Sequence, residues 1–251
     1  MKNLLPLLTL IFVIYHGGLE ARDLKASLAS LPIHSEVDEN GKKTGGFVRL
    51  VKAINDVYLE GDISIGIYPF ARSLKNVVSG QADFHVPLIN LLNQSAESLP
   101  YAYASEPLTQ VAFVLYARSN APLLDRVNLE DGQYRIDILR GSKAFFTFNT
   151  GEVNKHVQGI RKILNGRIDG FIAEQESTDK YLRENRISGI RRSLYAYWDV
   201  HIVIPKGEKK IEIDKIISGS LRKLRKSGRL KKINATIHQP YNNWQPYQMT
   251  W

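Results

Sequence analysis

Two stretches of this chain repeat one pattern, Val77-Val78-Ser79-Gly80-Gln81-Ala82-Asp83-Phe84-His85-Val86 and Ile163-Leu164-Asn165-Gly166-Arg167-Ile168-Asp169-Gly170-Phe171-Ile172. In each, apolar residues at helical spacing run up to a glycine suited to the left-handed position after a helix, and a short apolar run follows the aspartate. Each therefore predicts helix, stop and strand, and two such units in the two halves of the chain predict two similar α/β lobes. A pair of lobes leaves a cleft, and clefts between domains are where small ligands bind.

The rest of the chain extends the same alternation. A first strand is expected within Leu24 to Ile33, then a polar, glycine-rich turn from Glu36 to Gly46 and a helix over Phe47 to Val57. Ile63 to Tyr68 alternates as a strand does, and Pro69 stops it before a helix that begins near Ala71. Leu108 to Tyr116 predicts a strand passing out of the first lobe. Tyr134 to Leu139 predicts another strand, Gly141-Ser142 the opening of a further helix, and Val200 to Pro205 a returning strand. Strands alternating with helices give an α/β architecture with parallel or mixed sheets. The aromatic tail, Tyr241 to Trp251, is expected to pack back on the first lobe.

At the N-terminus, Lys2, the apolar stretch Leu4 to Tyr15 and the small and polar residues up to Ala21 have the layout of an export signal. The apolar stretch is far short of the about 20 residues that span a bilayer as a helix, so cleavage near Ala21 and a periplasmic location are expected. The chain has no cysteine. That excludes disulfides, thiol chemistry and lipid attachment through cysteine, and leaves stability to the hydrophobic core. The net charge is +9. Its densest run, from Arg222 to Lys232, is interleaved with Ile217, Leu221, Leu224 and Leu230, the pattern of a helix with one wet face, so no nucleic-acid partner is expected.

Several elements taken in order resemble the type II periplasmic solute-binding proteins, in the family 3 branch that includes polar amino acid receptors of ABC importers. Asp38-Glu39-Asn40-Gly41-Lys42-Lys43-Thr44-Gly45-Gly46-Phe47 resembles that family's turn after the first strand, and Ser105-Glu106-Pro107 its first crossover. Asn128-Leu129-Glu130-Asp131-Gly132 with Arg140-Gly141-Ser142, Gly166-Arg167-Ile168-Asp169-Gly170 through Glu174, and Ile204-Pro205-Lys206-Gly207 resemble later family elements at similar spacing. The resemblance implies a two-lobe α/β fold with two crossover strands. It places the first lobe at 22–108 plus 203–251 and the second at 109–202. It also implies a monomer that closes on a small polar ligand and then meets an inner-membrane permease or sensor.

Candidate ligand contacts follow from residue chemistry at the expected strand ends. Arg72, at the start of a helix, offers a fixed guanidinium for a carboxylate. Gly141 and Ser142 offer backbone N–H groups and a hydroxyl before a helix. Glu174 closes an apolar strand and, by the resemblance, stands where a ligand's ammonium group is received; Tyr103 and Ser105 lead into the first crossover. The stretch Asn90 to Ser98 lacks the arginine that holds the α-carboxylate in amino acid receptors, which leaves either Arg72 in that role or a ligand without the group. His34 is expected as a hydrogen-bonding residue of the cleft wall.

Signatures of catalysis are absent: no G-x-S-x-G, no H-E-x-x-H, no phosphate loop. The six histidines show no metal-ligand spacing, and neither cofactor nor metal is expected. An enzymatic alternative on the same fold is dehydration of a small cyclic acid, with Glu174 as general acid or base. A third class is a sensory partner of a membrane receptor.

Overall fold

The computed structural model describes residues 22–90, 95, 97–122 and 126–246. The export signal expected over 1–21, the end of the tail from 247, and 91–94 and 96 of the Asn90–Ser98 stretch lie outside the described residues. In chain order the elements are β1 (Leu24–Ala29), a small hairpin of β2 (Glu36–Val37) and β3 (Lys43–Thr44), α1 (Gly46–Val57), β4 (Ile63–Tyr68), α2 (Phe70–Val78), β5 (Phe84–Ile89), β6 (Tyr101–Tyr103) and β7 (Thr109–Arg118). There follow α3 (Arg126–Glu130), β8 (Ile136–Leu139), β9 (Gly151–Val153), α4 (His156–Leu164), β10 (Gly170–Glu174), α5 (Gln175–Glu184), β11 (Ile190–Pro205), α6 (Lys209–Lys226) and α7 (Arg229–Asn234). None of the described helices is long and apolar enough to cross a membrane.

Both repeat units fold as the pattern predicts, α2 into β5 and α4 into β10, with Gly80 and Gly166 at φ of 73° and 66°. One sheet carries nine strands in the order β4-β1-β5-β11-β7-β10-β8-β9, with β6 also on β11. Its centre is the antiparallel pair β7 and β11, which runs from Arg118 opposite Ile190 to Thr109 opposite Val200 with one register shift between Leu194 and Ala196. The sequence marks only Val200–Pro205 of β11; the strand begins ten residues earlier, and that added length is what pairs with β7.

Register on this spine fixes where the two halves end. On one side β5 reaches β11 with Ile89 opposite Val200 and runs antiparallel to it, so its carboxyl end points toward the other half. On the other side β10 reaches β7 with Glu174 opposite Phe113, also antiparallel, so its carboxyl end points back. Between these limits Gln110–Ala112 pair with Tyr197–Asp199 alone. β1 and β4 run parallel to β5, and β8 runs parallel to β10. The loops that leave both sets of parallel strands therefore face one gap.

The largest buried cluster joins Leu24, Leu28, Phe47, Leu50, Ile54 and Phe84 with Ile213, Ile217 and Leu221 of α6 and runs on across the spine to Ile136, Ile138 and Ile172, while Tyr116, Ile160, Ile163, Phe171 and Leu182 form a second cluster in the other half. The basic residues of α6 and α7 lie on the wet face, as expected: Arg222 and Arg225 pair with Glu106, and Arg229 with Asp56.

The tail departs from expectation. Tyr241 and Trp244 pack against the second cluster, not the first. The reason is Arg192 of β11, which is 2% exposed and forms an ion pair with Asp179 of α5 at 2.6 Å. A buried guanidinium needs all its donors met, and the tail supplies acceptors: Nη1 donates to the carbonyls of Asn242 at 2.9 Å and Trp244 at 2.5 Å. The rings of Tyr241 and Trp244 cover the same guanidinium at 4.8 and 5.2 Å. The tail is thus a strap from α7 to the far half.

A second buried polar network lies between β1, α2 and β5. His85 Nε2 must donate to the Pro87 carbonyl at 3.0 Å, so its Nδ1 accepts from Ser73 at 2.7 Å. Ser73 in turn accepts from Ser27, and Ser27 from Asn76. Burial lowers the His85 pKa to about 4, against the upward pull of two backbone carbonyls.

Two outcomes follow. Arg192→Ala leaves Asp179 buried without its partner and should cost about 3–5 kcal/mol in urea unfolding, whereas Arg222→Ala, at an exposed pair, should cost under about 1 kcal/mol. For His85 the folded pKa lies below the unfolded value, so the unfolded chain takes up the proton first and stability falls as pH drops from 6.5 toward 4. The contribution reaches about 1.4 kcal/mol per pH unit, and the slope measured across that window should be shallower in His85→Gln.

Candidate functional site

The loop after β1 enters the gap first. Strand β1 ends at Ala29, short of the expected Ile33, because Leu31 bridges back to Ser35 and Ile33 takes a left-handed φ of 63°. The loop lies on the start of α1, where Phe47 N–H donates to the His34 carbonyl at 3.0 Å. Only glycine permits this approach at position 45: its φ is 108°, and a Cβ there would stand 2.2 Å from the His34 oxygen. At Gly46 a Cβ would meet the side chain of Ile237 at 2.4 Å. The Gly45-Gly46 pair thus seats the His34 loop and the beginning of the strap side by side.

Three histidines and two glutamates meet here. The rings of His34 and His238 lie 5.2 Å apart, and Phe47 packs on both. Glu176, in the first turn of α5, places Oε2 3.6 Å from His238 Nδ1, while its Oε1 accepts from the Gln239 backbone at 3.0 Å. Glu174 caps α5 by accepting from Ser177 N–H at 3.0 Å, and its Oε1 lies 3.5 Å from His156 Nε2. Thr178 gives its hydroxyl proton to the Glu174 carbonyl, so it receives one from His156 Nδ1 at 2.8 Å. Neutral His156 then turns an unprotonated Nε2 toward a carboxylate. Two acceptors facing each other require a proton or another cation between them.

Burial dominates the electrostatics. It lowers His34 and His238 to about 4 and lowers His156 as well, each opposed by the nearby Glu174, and it raises the Glu176 carboxyl. Among the described residues no lysine or arginine forms an ion pair with Glu174 or Glu176. Beside the cluster lies a cavity of about 370 Å³, lined by Ile33, Glu176, Lys180, Arg183, Ile237 and Gln239 among others.

The other expected contacts are distributed around the gap. Arg72 is exposed in the first turn of α2, after the carboxyl end of β4. Gly141 and Ser142 follow β8, but in place of the expected helix stands a three-residue 3-10 turn, Lys143–Phe145. A longer helix is prevented by packing: Phe145 and Phe146 turn onto Trp198, and Phe148 packs on Phe146, so all three rings gather beside the spine. Gly141 N–H donates to Glu152 at 3.2 Å. No hydrogen bond or ion pair joins Arg72, Ser142 and Glu174 among the described residues. Ser105 is bound to α6, its N–H donating to Asp214 and its hydroxyl to Ser218, which in turn donates to Asp214. Tyr103 donates to the Ile89 carbonyl and packs between Tyr101 and His201.

Sequence reasoning missed Glu176, His156 and His238. No local spacing connects them, because their meeting depends on the strap.

No family model matches this chain, and no curated protein matches it. Solved structures do. A histidine kinase sensor domain with similarity to periplasmic binding proteins superposes with a TM-score of 0.68 at 18% identity, over 88% of this chain and 99% of that one. The P235GK mutant of ArgBP from T. maritima gives 0.63 at 17% identity, over 85% and 93%. The ancestral amino acid-binding protein AncCDT-1, described as a precursor of cyclohexadienyl dehydratase, gives 0.64 at 14%, over 86% and 95%. At such identities the likeness defines the fold. This chain has the two-lobe fold of the type II periplasmic binding proteins, with β7 and β11 as its crossover strands.

The cap has a consequence of its own. Glu174→Ala should lower stability by about 1 kcal/mol through loss of the bond to Ser177 N–H, and Glu174→Asn should restore most of it in thermal unfolding.

Proposed function

We propose that this protein is an exported, non-enzymatic solute-binding protein that captures a small polar, amino-acid-like ligand between two lobes, 22–108 with 203–251 and 109–202. The observation that carries the reading is the register of the spine, which turns the carboxyl ends of β1, β4 and β5 toward those of β8 and β10. Ligands of open α/β sheets sit at such ends. Arg72 takes a carboxylate from one side; from the other the Ser142 hydroxyl, on the turn made by Gly141, meets a polar group and Glu174 a cationic one, the backbone N–H groups of Gly141 and Ser142 being bound to Glu152 and Leu139. A ligand that touches both sides favours the closed arrangement by the contacts it gains there. Binding proteins for arginine and other amino acids are among the structural relatives, which supports this ligand class. Delivery to an inner-membrane importer of the ABC type follows from that reading. The sensor domain among the relatives supports a second one, in which the closed form signals to a membrane receptor.

A thermal-shift panel of amino acids, polyamines, small carboxylates and cyclic acids on the refolded protein tests the proposal. A ligand at about 1,000 times its Kd adds about 4 kcal/mol, and each kcal/mol raises Tm by roughly 2–4 °C in a chain of this size. One chemical class should stand out, and its compound should come through unchanged; conversion of a cyclic acid would instead point to dehydratase chemistry. Arg72→Ala and Glu174→Ala should each weaken that ligand by about 2 kcal/mol, measured as Kd by calorimetry so that the lost cap does not enter. Unaltered affinity in both variants removes these residues from the site.

A further inference from the structure

We propose that His34, Glu176 and His238 form a binding site for a divalent transition-metal ion of the zinc class, where the loop after β1, the first turn of α5 and the strap meet. One donor atom from each residue lies within 4.8 Å of the other two. Tetrahedral zinc, with bonds of about 2.0–2.2 Å, holds its donors roughly 3.4 Å apart. The Glu176–His238 separation of 3.6 Å is already close to that, and the separations to His34, none above 4.8 Å, have at most about 1.4 Å to close.

Unmet bonding in the cluster points the same way. His34 is 6% exposed, yet neither of its ring nitrogens has a hydrogen-bond partner; the same holds for Nδ1 of His238 and Oε2 of Glu176. Buried polar atoms are almost always paired, and an imidazole nitrogen without a partner keeps the lone pair that a metal takes. The charges agree: Glu174 and Glu176 bring two acidic groups into a pocket to which no described lysine or arginine contributes an ion pair. Two imidazoles and a carboxylate suit zinc, copper or nickel, whereas calcium and magnesium prefer all-oxygen sets. Glu176 also lines the 370 Å³ cavity, which offers a path inward and a place for a water or further ligand in the fourth position. Glu174 and His156 stand behind as the supporting pair.

This inference goes beyond the solute-binding reading and does not depend on it, because metal uptake is measured with no organic ligand present. The untagged chain, stripped with EDTA, is titrated calorimetrically with Zn²⁺. One ion should bind per chain, and His34→Ala, His238→Ala and Glu176→Gln should each weaken it by roughly 100-fold or more, while His201→Ala, on β11, changes nothing. Co²⁺ should give the intense visible bands of a tetrahedral centre, lost in the same three variants. The wild-type chain carries an arm that needs no variant: Zn²⁺ should raise its Tm, and Mg²⁺ and Ca²⁺ should not. Failure of the stripped chain to take up Zn²⁺, binding that survives both histidine substitutions, or equal stabilisation by Mg²⁺ would each overturn the site. A silent amino acid panel with intact Zn²⁺ binding would discard the solute reading and leave this one standing.

Discussion

The pairing of β7 with β11 is the constraint on which the rest of the molecule depends. Each strand is long enough to carry the strands of both halves in one sheet, and the ladder between them fixes how far apart those two sets of strands stop. Because β5 is antiparallel to β11 and β10 is antiparallel to β7, the two sets of parallel strands must point their carboxyl ends at each other. A one-residue slip in this ladder would turn Trp198 and Phe113, which pack face to edge at 4.2 Å, to opposite sides of the sheet. The gathered rings of Phe145, Phe146, Tyr195 and Trp198 make that slip expensive. The spine can therefore bend, but its register holds.

A two-strand hinge alone would leave the halves free to swing. Here the strap adds a third connection, and its anchor is unusually deep. Arg192 satisfies an acidic group of α5, two carbonyls of the tail and two aromatic faces at once, so pulling the tail away leaves buried guanidinium N–H groups without acceptors. Any opening about the segment from Gln110 to Ala112 must carry residues 236–240 along or stretch them. The strap holds His238 in place from its near end as well, since the His238 backbone N–H donates to the Asn234 carbonyl at the end of α7.

Much of the fold was legible because it rests on local chemistry. Left-handed glycines after α2 and α4, alternation over Ile63–Tyr68 and the amphipathic pattern of α6 each state their element within a few residues. What stayed hidden is whatever long-range packing decides. The first half of β11, with Arg191, Arg192 and Ser193 in series, lacks an apolar signature, since one of those arginines is buried by a distant strap. Gly141-Ser142 has the letters of a helix start, but the adjacent Phe145 and Phe146 both turn onto Trp198 and Phe148 packs on Phe146, an arrangement one helical face does not permit. Of the site, Glu174 was placed correctly at a strand end from its apolar approach, Phe171-Ile172-Ala173. Its role as the cap of α5 was not visible, because glutamate is an uncommon cap. His34, expected to hydrogen-bond in the cleft wall, is instead buried with neither ring nitrogen partnered, because it packs against Phe47 and His238, and His238 gave no local signal.

The glycine pair at 45 and 46 connects these levels. A side chain at either position would push away the His34 loop or the strap, so the sequence admits both segments to one helix start by omitting two Cβ atoms. The resulting cluster is costly for folding: its imidazoles are held neutral, an acid is driven toward its protonated form, and several polar atoms go unpaired. A hydrophobic cluster of the same volume would join the halves at least as well. Costly polar groups of this kind concentrate where a protein meets a ligand, and every charge in this group calls for a cation. His34, Glu176 and His238 concentrate that demand at one point, where the loop after β1, α5 and the strap meet.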